Sequence, residues 1–567
     1  MNPGDARTTG PARPSVPPPA RTPPSTAAAV ANGDPGDLGV HLAAATVVER
    51  CPHPLSELEV AVVLETCGYN ANRARSTGAS DLMELARVVY QLVPVYAGNE
   101  DPGGPPGSAT ATSRRQLAWA TARSFCRGLL LATPLLISIS TILMAGVSFW
   151  SSSVELPAVA GSVTLSSCLA LVFTGPFVYA FLNRGSFYLA FGDAGILAYI
   201  TRRTLGLGML VTSLACLLAY VLRTAAGDAG PHAVNRLGLA SGIAIAALQV
   251  GLAPLYLRNA VGAMTAVVGA GAGLLVWHVS HLGSFIDPVA LTVWQVRLVA
   301  VMAGSTWLLS GWWLLRGGGA GAGGKPAGRQ RLWLPSGTAV ARAVAPYAVF
   351  GLGYFCLVTL PQLVAGGAWR WTYVFNGRYA IASGMALVAL VPVAAFGNVS
   401  VEHLTRRALP LALSQARIGA VESARARMRR QWRSHAALAA TASAAVVTTV
   451  DLVLPHFAQG WLRTHGMEAV PALLYACSAG YFFLSVGTFA AQSLFAVSSK
   501  AGPVRAAVAG TLAMAAFGAL ATMSGSLSWA AVAAGGFALG SGVFALMAVR
   551  AADRAYGLVD LTCYRGL

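Results

Sequence analysis

From residue 127 onward the chain is a succession of about twelve apolar runs, each near the ~20 residues that cross a hydrocarbon core. No other feature constrains the fold as much. In lipid every backbone N–H and C=O must find its partner inside the protein, and runs of this length do so as helices. They centre near 128–150, 157–182, 205–222, 237–257, 261–282, 297–315, 343–365, 379–398, 436–455, 469–489, 504–524 and 527–549. The expected fold is therefore an all-α integral membrane protein with about 12 transmembrane helices in two six-helix bundles. Charged residues make up 11% of the chain, against about 25% in a soluble domain. So few charges cannot cover a water-facing surface.

The net charge is +18. In a soluble protein that would point to nucleic acid, but here topology absorbs it. With the N-terminus inside, the inner loops hold Arg114, Arg115, Arg123 and Arg127, then Arg184, Arg202, Arg203 and Arg258. Arg316, Lys325, Arg329, Arg331 and Arg342 follow, then a dense run from Arg406 to Arg433, then Lys500, Arg505, Arg550, Arg554 and Arg565. The outer loops hold Arg223, Arg236, Arg297, Arg370, Arg378 and Arg463. The ratio of roughly four to one places both termini in the cytoplasm of a bacterial inner membrane. Membrane lipids are the expected surroundings, and nucleic acid is not an expected partner.

Residues 1–46 are rich in Pro and Ala and are expected to be a disordered tail, too poor in apolar area to offset ordering entropy. Residues 47–95 form a small cytoplasmic helical module. Its first helix has the Ser56-x-x-Glu59 capping spacing and stops at Gly68; its second is capped by Ser80 or Asp81 and ends before Pro94. Residues 96–115 link it to the membrane. The first bundle spans 116–316, a Gly-rich cytoplasmic linker 317–338, the second bundle 339–550, and a cytoplasmic tail 551–567. Inside the linker, Gly319 to Lys325 nearly spells a phosphate-binding loop, but Pro326 stands where Ser or Thr is needed and no strand precedes it. Two six-helix halves suggest an internal repeat: Pro134 answers Pro346, and Pro176 answers Pro392.

No catalytic constellation appears, no DxD lies in a loop, and a non-enzyme without cofactor or metal is expected. The eight cysteines are scattered (Cys51, Cys67, Cys126, Cys168, Cys216, Cys356, Cys477, Cys563) and read as small hydrophobes. His278 and His281, with Trp277 beside them and Asp287 nearby, read as an interfacial cluster rather than a metal site. Trp312 and Trp313 read as an aromatic belt. Polar groups in apolar runs are costly and usually face a cavity. Gln249, Arg297, Tyr347, Tyr354, Gln362, Asp451 and Gln492 are the candidates for a transport path. Asp451, the only carboxylate inside the later spans, is the candidate for cation or proton coupling, unless it is a solvated helix end. Gly175, Pro176, Pro346, Pro361 and Pro392 are candidate hinges, because proline frees a carbonyl that protein or water must satisfy. The basic loop 401–434 reads as an amphipathic helix on the inner leaflet or a docking site for a cytoplasmic partner.

The stretch "VTLSSCLALVFTGPFVYAFLNRGSFYLAFGDAGILAYITRRTLGLGML" (163–210) resembles the early part of the Pel exopolysaccharide transporter family, PelG. The chain keeps Thr174-Gly175-Pro176-Phe177 and has Asn183-Arg184-Gly185 where that family has Thr-Arg-Tyr. "VFNGRYAIASGMALVALVPVAAFGNVSVEHLTRRALP" resembles its span eight, with Ser400-Val401-Glu402-His403 in place of a Val-Glu-Thr stretch, and "GLVDLTCYRG" resembles its ending. The likeness covers about residues 115–567; Val497-Ser498-Ser499-Lys500 departs from an acidic family loop. The resemblance implies the multidrug/oligosaccharidyl-lipid/polysaccharide flippase superfamily, with two six-helix bundles around an alternately opening cavity. It implies export of a polysaccharide or lipid-linked glycan, with span two bending at Gly175-Pro176 and a cytoplasmic elbow after it. The contrasting expectation is a membrane scaffold that recruits a cytoplasmic glycosyltransferase, or an exporter of another amphiphile. An exporter predicts a wide polar cavity between the halves; a scaffold predicts a dry, filled core.

Overall fold

The computed structural model describes residues 35–50, 57–67, 69, 71–96, 114–145, 157–190, 194–225, 232–282, 288–317, 337–367, 373–404, 421–464, 470–497, 499–524 and 528–557. Among these the regular structure is helical, with no strand. The chain divides into two compact units, Met1–Ala111 and Thr112–Gly566. Ser56, most of the 96–115 and 317–338 linkers, Asp287, Cys51, Cys563 and the arginines just after His403 lie outside the described residues.

The N-terminal unit contains α1 (Pro35–Arg50), α2 (Glu57–Thr66), α3 (Ala71–Ser76) and α4 (Leu82–Tyr96). Residues 35–46, expected in a disordered tail, form most of α1. Ala43, Ala44 and Val47 are spaced to share one face and bury it against Val60, Leu64, Leu85 and Val89. The start of α4 is fixed by its cap. Asp81 Oδ1 accepts from Glu84 N at 2.8 Å, and Ser80 N donates to Glu84 Oε2 at 2.7 Å. That hydrogen bonding to Ser80 holds the Glu84 carboxyl below its ordinary range. Contrary to expectation, α4 continues through Pro94 to Tyr96.

The second unit is a multi-pass membrane protein. Among the described residues eleven of its helices are long and apolar enough to span, or twelve if a bent pair is one span. That pair is α5 (Arg114–Leu131) and α6 (Thr133–Ala145), bent by 43°. Pro134 sits at the break, where its missing N–H falls in the first turn of α6. Then come α7 (Pro157–Ala190), α8 (Ala194–Ala225), α9 (His232–Leu257), α10 (Val261–Leu282), α11 (Pro288–Gly317) and α12 (Gly337–Ala365). Span eight is composite: α13 (Gly377–Ala386), a 3₁₀ turn (Leu387–Leu390) and α14 (Val391–His403), with Pro392 at the start of α14. The last four are α15 (Val421–Thr464), α16 (Val470–Ala496), α17 (Ala501–Ser524) and α18 (Trp529–Gly557).

Three expectations change. Gly175-Pro176 lies inside α7, which runs unbroken to Ala190, and the elbow expected after it would fall on residues 191–193, outside the described residues. Pro176 leaves the Val172 carbonyl without its helical donor, and the helix continues because neighbouring helices surround it. The basic segment before span nine is not a separate surface helix; from Val421 it is the first turns of α15 itself. Residues 551–557, expected in a tail, are the last turns of α18.

Packing in the first six spans centres on α9, whose Ala244, Ile245 and Ala246 lie in a core with Leu275, Leu291, Val299 and Met302. In the last six it centres on α16 and α18, with Leu474, Leu484, Phe537 and Phe544 buried. One face of α8 (Leu207, Leu210, Leu214, Leu218, Leu222) is apolar and exposed, as a lipid-facing helix requires.

Candidate functional site

The first six and last six spans meet along two crossings, and the crossings are reciprocal. Span two meets span seven, and span one meets span eight. At the first, α7 and α12 approach until backbone touches backbone. A Cβ on Gly351 would sit 2.9 Å from the Gly175 carbonyl oxygen, and one on Gly175 would sit 2.2 Å from Phe355 Cδ2. Only glycine allows that approach. At the second, a Cβ on Gly128 of α5 would lie 2.4 Å from the Ala394 carbonyl oxygen of α14. Asn398 Nδ2 donates to the Ser124 carbonyl at 3.1 Å there, and Phe125 meets Phe396 edge-on at 5.2 Å. Two halves related by a two-fold axis would produce this exchange of partners.

Aromatic side chains fill the first crossing. Tyr179 of α7 packs edge-on against Phe350 at 5.3 Å and faces Tyr354 at 6.1 Å. One helical turn further toward the arginine-rich end, Tyr347 lies beside Asn183 and Arg184, with Phe495 at 4.8 Å and Lys500 Nζ at 5.8 Å from its ring centre. At this crossing packed rings stand where the exporter expectation puts a wide polar cavity and the scaffold expectation a filled core. A cavity of about 870 Å³ opens instead at the far end of the last six spans, walled by Phe375, Asn376, Arg378, Leu473 and Trp529.

From the first crossing a polar chain runs into the second half. Tyr354 lies beside Thr488 of α16. Tyr481, on the same helix, lies near Tyr354 and shares a 3.2 Å hydrogen bond with Ser383 of α13. Tyr379, one turn from Ser383, faces Cys477. Next to Cys477, Ser478 Oγ donates to Asp451 Oδ1 of α15 at 2.7 Å. Asp451 is half-buried among these groups. The first half has no such carboxylate among its described interior groups. Cross-helix bonds in this half join neutral groups: inside, Thr174 donates to Gln249 and Ser310 to the Gly251 carbonyl at 2.8 Å; at the surface, Trp307 donates to the Ala247 carbonyl at 2.8 Å.

The structure therefore places Tyr347 and Tyr354 at the crossing and Asp451 at the remote end of the polar groups that lead from it, and it bonds Gln249 to Thr174, the residue before Gly175. Gln362 lies half-buried near the far end of α12, where Tyr373 donates to its carbonyl at 3.4 Å. Arg297 is exposed on α11, away from this chain, and Gln492 is exposed on α16 opposite Gly397. Pro346 and Pro361 lie within α12, which is one continuous helix. His278 stacks on Trp294 at 4.1 Å, and His281 lies 5.1 Å from Trp277. Tyr179, Tyr379, Ser383, Tyr481 and Ser478 were missed. Their signal in the sequence is weak: tyrosine in an apolar run reads equally as interfacial belt, and a serine hydroxyl satisfies itself on the preceding turn.

No family model matches the sequence, and no curated protein matches it. Solved structures do match the fold. A multidrug resistance MATE family transporter of the MOP superfamily, in an inward-facing conformation, aligns at 15% identity over 76% of this chain and 98% of that chain, with a TM-score of 0.51. MATE in its straight conformation aligns at 14% identity over 78% and 96%, with a TM-score of 0.50. MATE in complex with MaL6 aligns at 16% identity over 78% and 97%, also at 0.50. The chain has the fold of these transporters.

Proposed function

We propose that the protein is a secondary transporter of the flippase type, exporting a polysaccharide or lipid-linked glycan across the bacterial cytoplasmic membrane by alternating access. The observation that carries the transporter reading is the fold match to nearly the whole of an inward-facing MATE chain. The reciprocal crossings support it, because two rigid halves joined along paired helices can rock about that junction. The arginine asymmetry supports a cytoplasmic N-terminus. The glycan cargo rests on the likeness of residues 163–210 and 374–410 to the Pel exopolysaccharide transporter family.

On this reading the two halves are residues 116–316 and 339–550, and the ring cluster around Tyr179, Phe350 and Tyr354 is a closed gate. Asp451 is the coupling carboxylate, with hydroxyl groups and the Cys477 thiol lying between it and that gate. Protonation or cation binding at Asp451 changes the charge at one end of a chain whose other end lies between the halves. Residues 47–95 serve as the cytoplasmic module through which a glycosyltransferase would be held near the cargo.

A second reading, export of a small amphiphile, draws on the multidrug resistance described for the matched transporter. Deletion of the gene separates the two. Under the glycan reading, surface glycan disappears while its intracellular or lipid-linked pool rises, and an Asp451→Asn strain copies the deletion. Unchanged surface glycan together with raised sensitivity to lipophilic cations moves the amphiphile reading to the front. Unchanged surface glycan with no altered export leaves only the scaffold.

A further inference from the structure

A second cavity, of about 590 Å³, lies where the arginine-rich ends of α15 and α18 pack together. Four arginines line it: Arg429 and Arg433 from α15, Arg550 and Arg554 from α18. A single carboxylate, Asp553, faces them. Both α15 arginines spend themselves on it. Arg433 Nε donates to Asp553 Oδ1 at 2.8 Å and Arg429 Nε to the same oxygen at 3.0 Å, with further bonds to Oδ2. Arg550 and Arg554 then have no ion-pair partner among the described residues. They stand four residues apart on one helix, where like charges repel.

The rest of the lining is apolar and includes one unmet donor. Trp432 is 2% exposed and walls the cavity, and its indole Nε1–H has no hydrogen-bond partner among the described residues. Ala436 and Val549 complete the wall on the membrane side. One turn deeper from Arg550, the exposed Leu546 continues the same stripe of α18 into the apolar span. Excess guanidinium at the membrane surface, an unmet N–H and an apolar track below them suit one ligand chemistry. It is a phosphodiester carried on acyl chains. Guanidinium pairs recognise phosphate oxygens bidentately, and basic pockets between membrane helices bind anionic headgroups.

We propose that this cavity binds the headgroup of an anionic phospholipid, with Arg550 and Arg554 as its phosphate ligands and Leu546 under its acyl chain. The site is separate from the Asp451 chain and stands whatever the cargo is.

The test uses the full-length protein in detergent, titrated with phosphatidylglycerol or phosphatidylcholine and read by native mass spectrometry. Phosphatidylglycerol should be retained more tightly, by on the order of tenfold. The Arg550→Gln/Arg554→Gln variant should lose that preference without disturbing the Asp553 pairs. The Arg550→Lys/Arg554→Lys variant should keep much of it. Arg427→Gln/Arg430→Gln removes the same charge from exposed positions that do not line the cavity, and should leave the preference intact. Equal retention of the two lipids, or an equal loss in the Arg427/Arg430 variant, overturns the site. Displacement of the lipid by equimolar inorganic phosphate would also overturn it in favour of a soluble anion.

Discussion

The two halves of the membrane unit share a span count and a mode of contact, but they treat interior polarity differently. Among its described residues the first half buries mainly neutral groups, with the Arg184 Nε at the crossing as the charged exception. Thr174, Thr212, Thr292 and Thr306 are buried, and its cross-helix bonds join hydroxyl, amide and carbonyl. The second half adds tyrosines and an ionisable carboxylate, strung from Tyr354 to Asp451. A neutral bond in a membrane interior fixes a packing arrangement. A carboxylate there responds to protons and cations, and is retained at a cost. On the proposed function the difference would give the halves distinct tasks: the first as packed frame, the second as the half that senses the coupling ion. Their common feature, the glycine crossings, is where the two tasks have to meet.

The largest effect is expected at those crossings, where the halves are alike. Gly351→Leu forces a side chain into the Gly175 carbonyl, and Gly128→Leu does the same at Ala394. Overpacking of this kind costs about 1–3 kcal/mol, occasionally more, and backbone contact leaves nowhere to relax. Both variants should lose transport and melt several degrees lower in detergent. Gly206, which has open space around it, is the control, and Gly206→Leu should match the parent. If Gly351→Leu fails and Gly128→Leu does not, the two crossings are not equivalent and the two-fold reading falls.

The next effect should separate the halves. Asp451→Asn keeps the size of the side chain and the bond from Ser478, but removes the charge. Transport should fall to near background with the melting temperature almost unchanged. Ser478→Ala should be milder, weakening transport without abolishing it. Wild-type transport in Asp451→Asn would make the second half's carboxylate a structural group like its neutral counterparts, and the contrast between halves would lose its functional meaning.

How far these features could be read in advance follows from the same physics. Lipid demands helices apolar along their length, so the spans and their approximate number are legible in hydropathy alone. Their limits are not. Arginine and alanine are good helix formers, so α15 extends well outside the apolar run, and Asp553 waits far along the chain to pair with it. Gly175-Pro176 read as a hinge because proline removes a helical donor and glycine loosens the backbone. Within a bundle the neighbours sustain the helix, and the glycine is spent on close approach instead. Asp451 stood out as a lone carboxylate, yet nothing local announced Ser478, which bonds to it from another helix, or Tyr379 and Ser383, which stand further along the same run of polar groups. Arg297 and Gln492 carried the same sequence signal as Asp451, but Arg297 is exposed on α11 and Gln492 lies against Gly397 of α14, away from the Asp451 groups.

The smallest expected effect lies in the first half and sharpens the contrast from the other side. Gln249→Leu removes the partner of Thr174, whose hydroxyl can fall back on the Ala170 carbonyl of its own helix at 2.6 Å. Hydrogen bonds between membrane helices are worth about 0.6 kcal/mol on average and at most about 1.7. With a local substitute available, the loss should lie near the lower figure. The variant should melt within a few degrees of the parent and transport at close to its rate. A double variant with Thr174→Val should add little, because both changes delete one bond and the remaining surfaces are apolar. Should Gln249→Leu instead stop transport while the fold holds, the glutamine belongs to the moving path. Polarity in the first half would then be working chemistry, and the assignment of ion sensing to the second half alone would have to be given up.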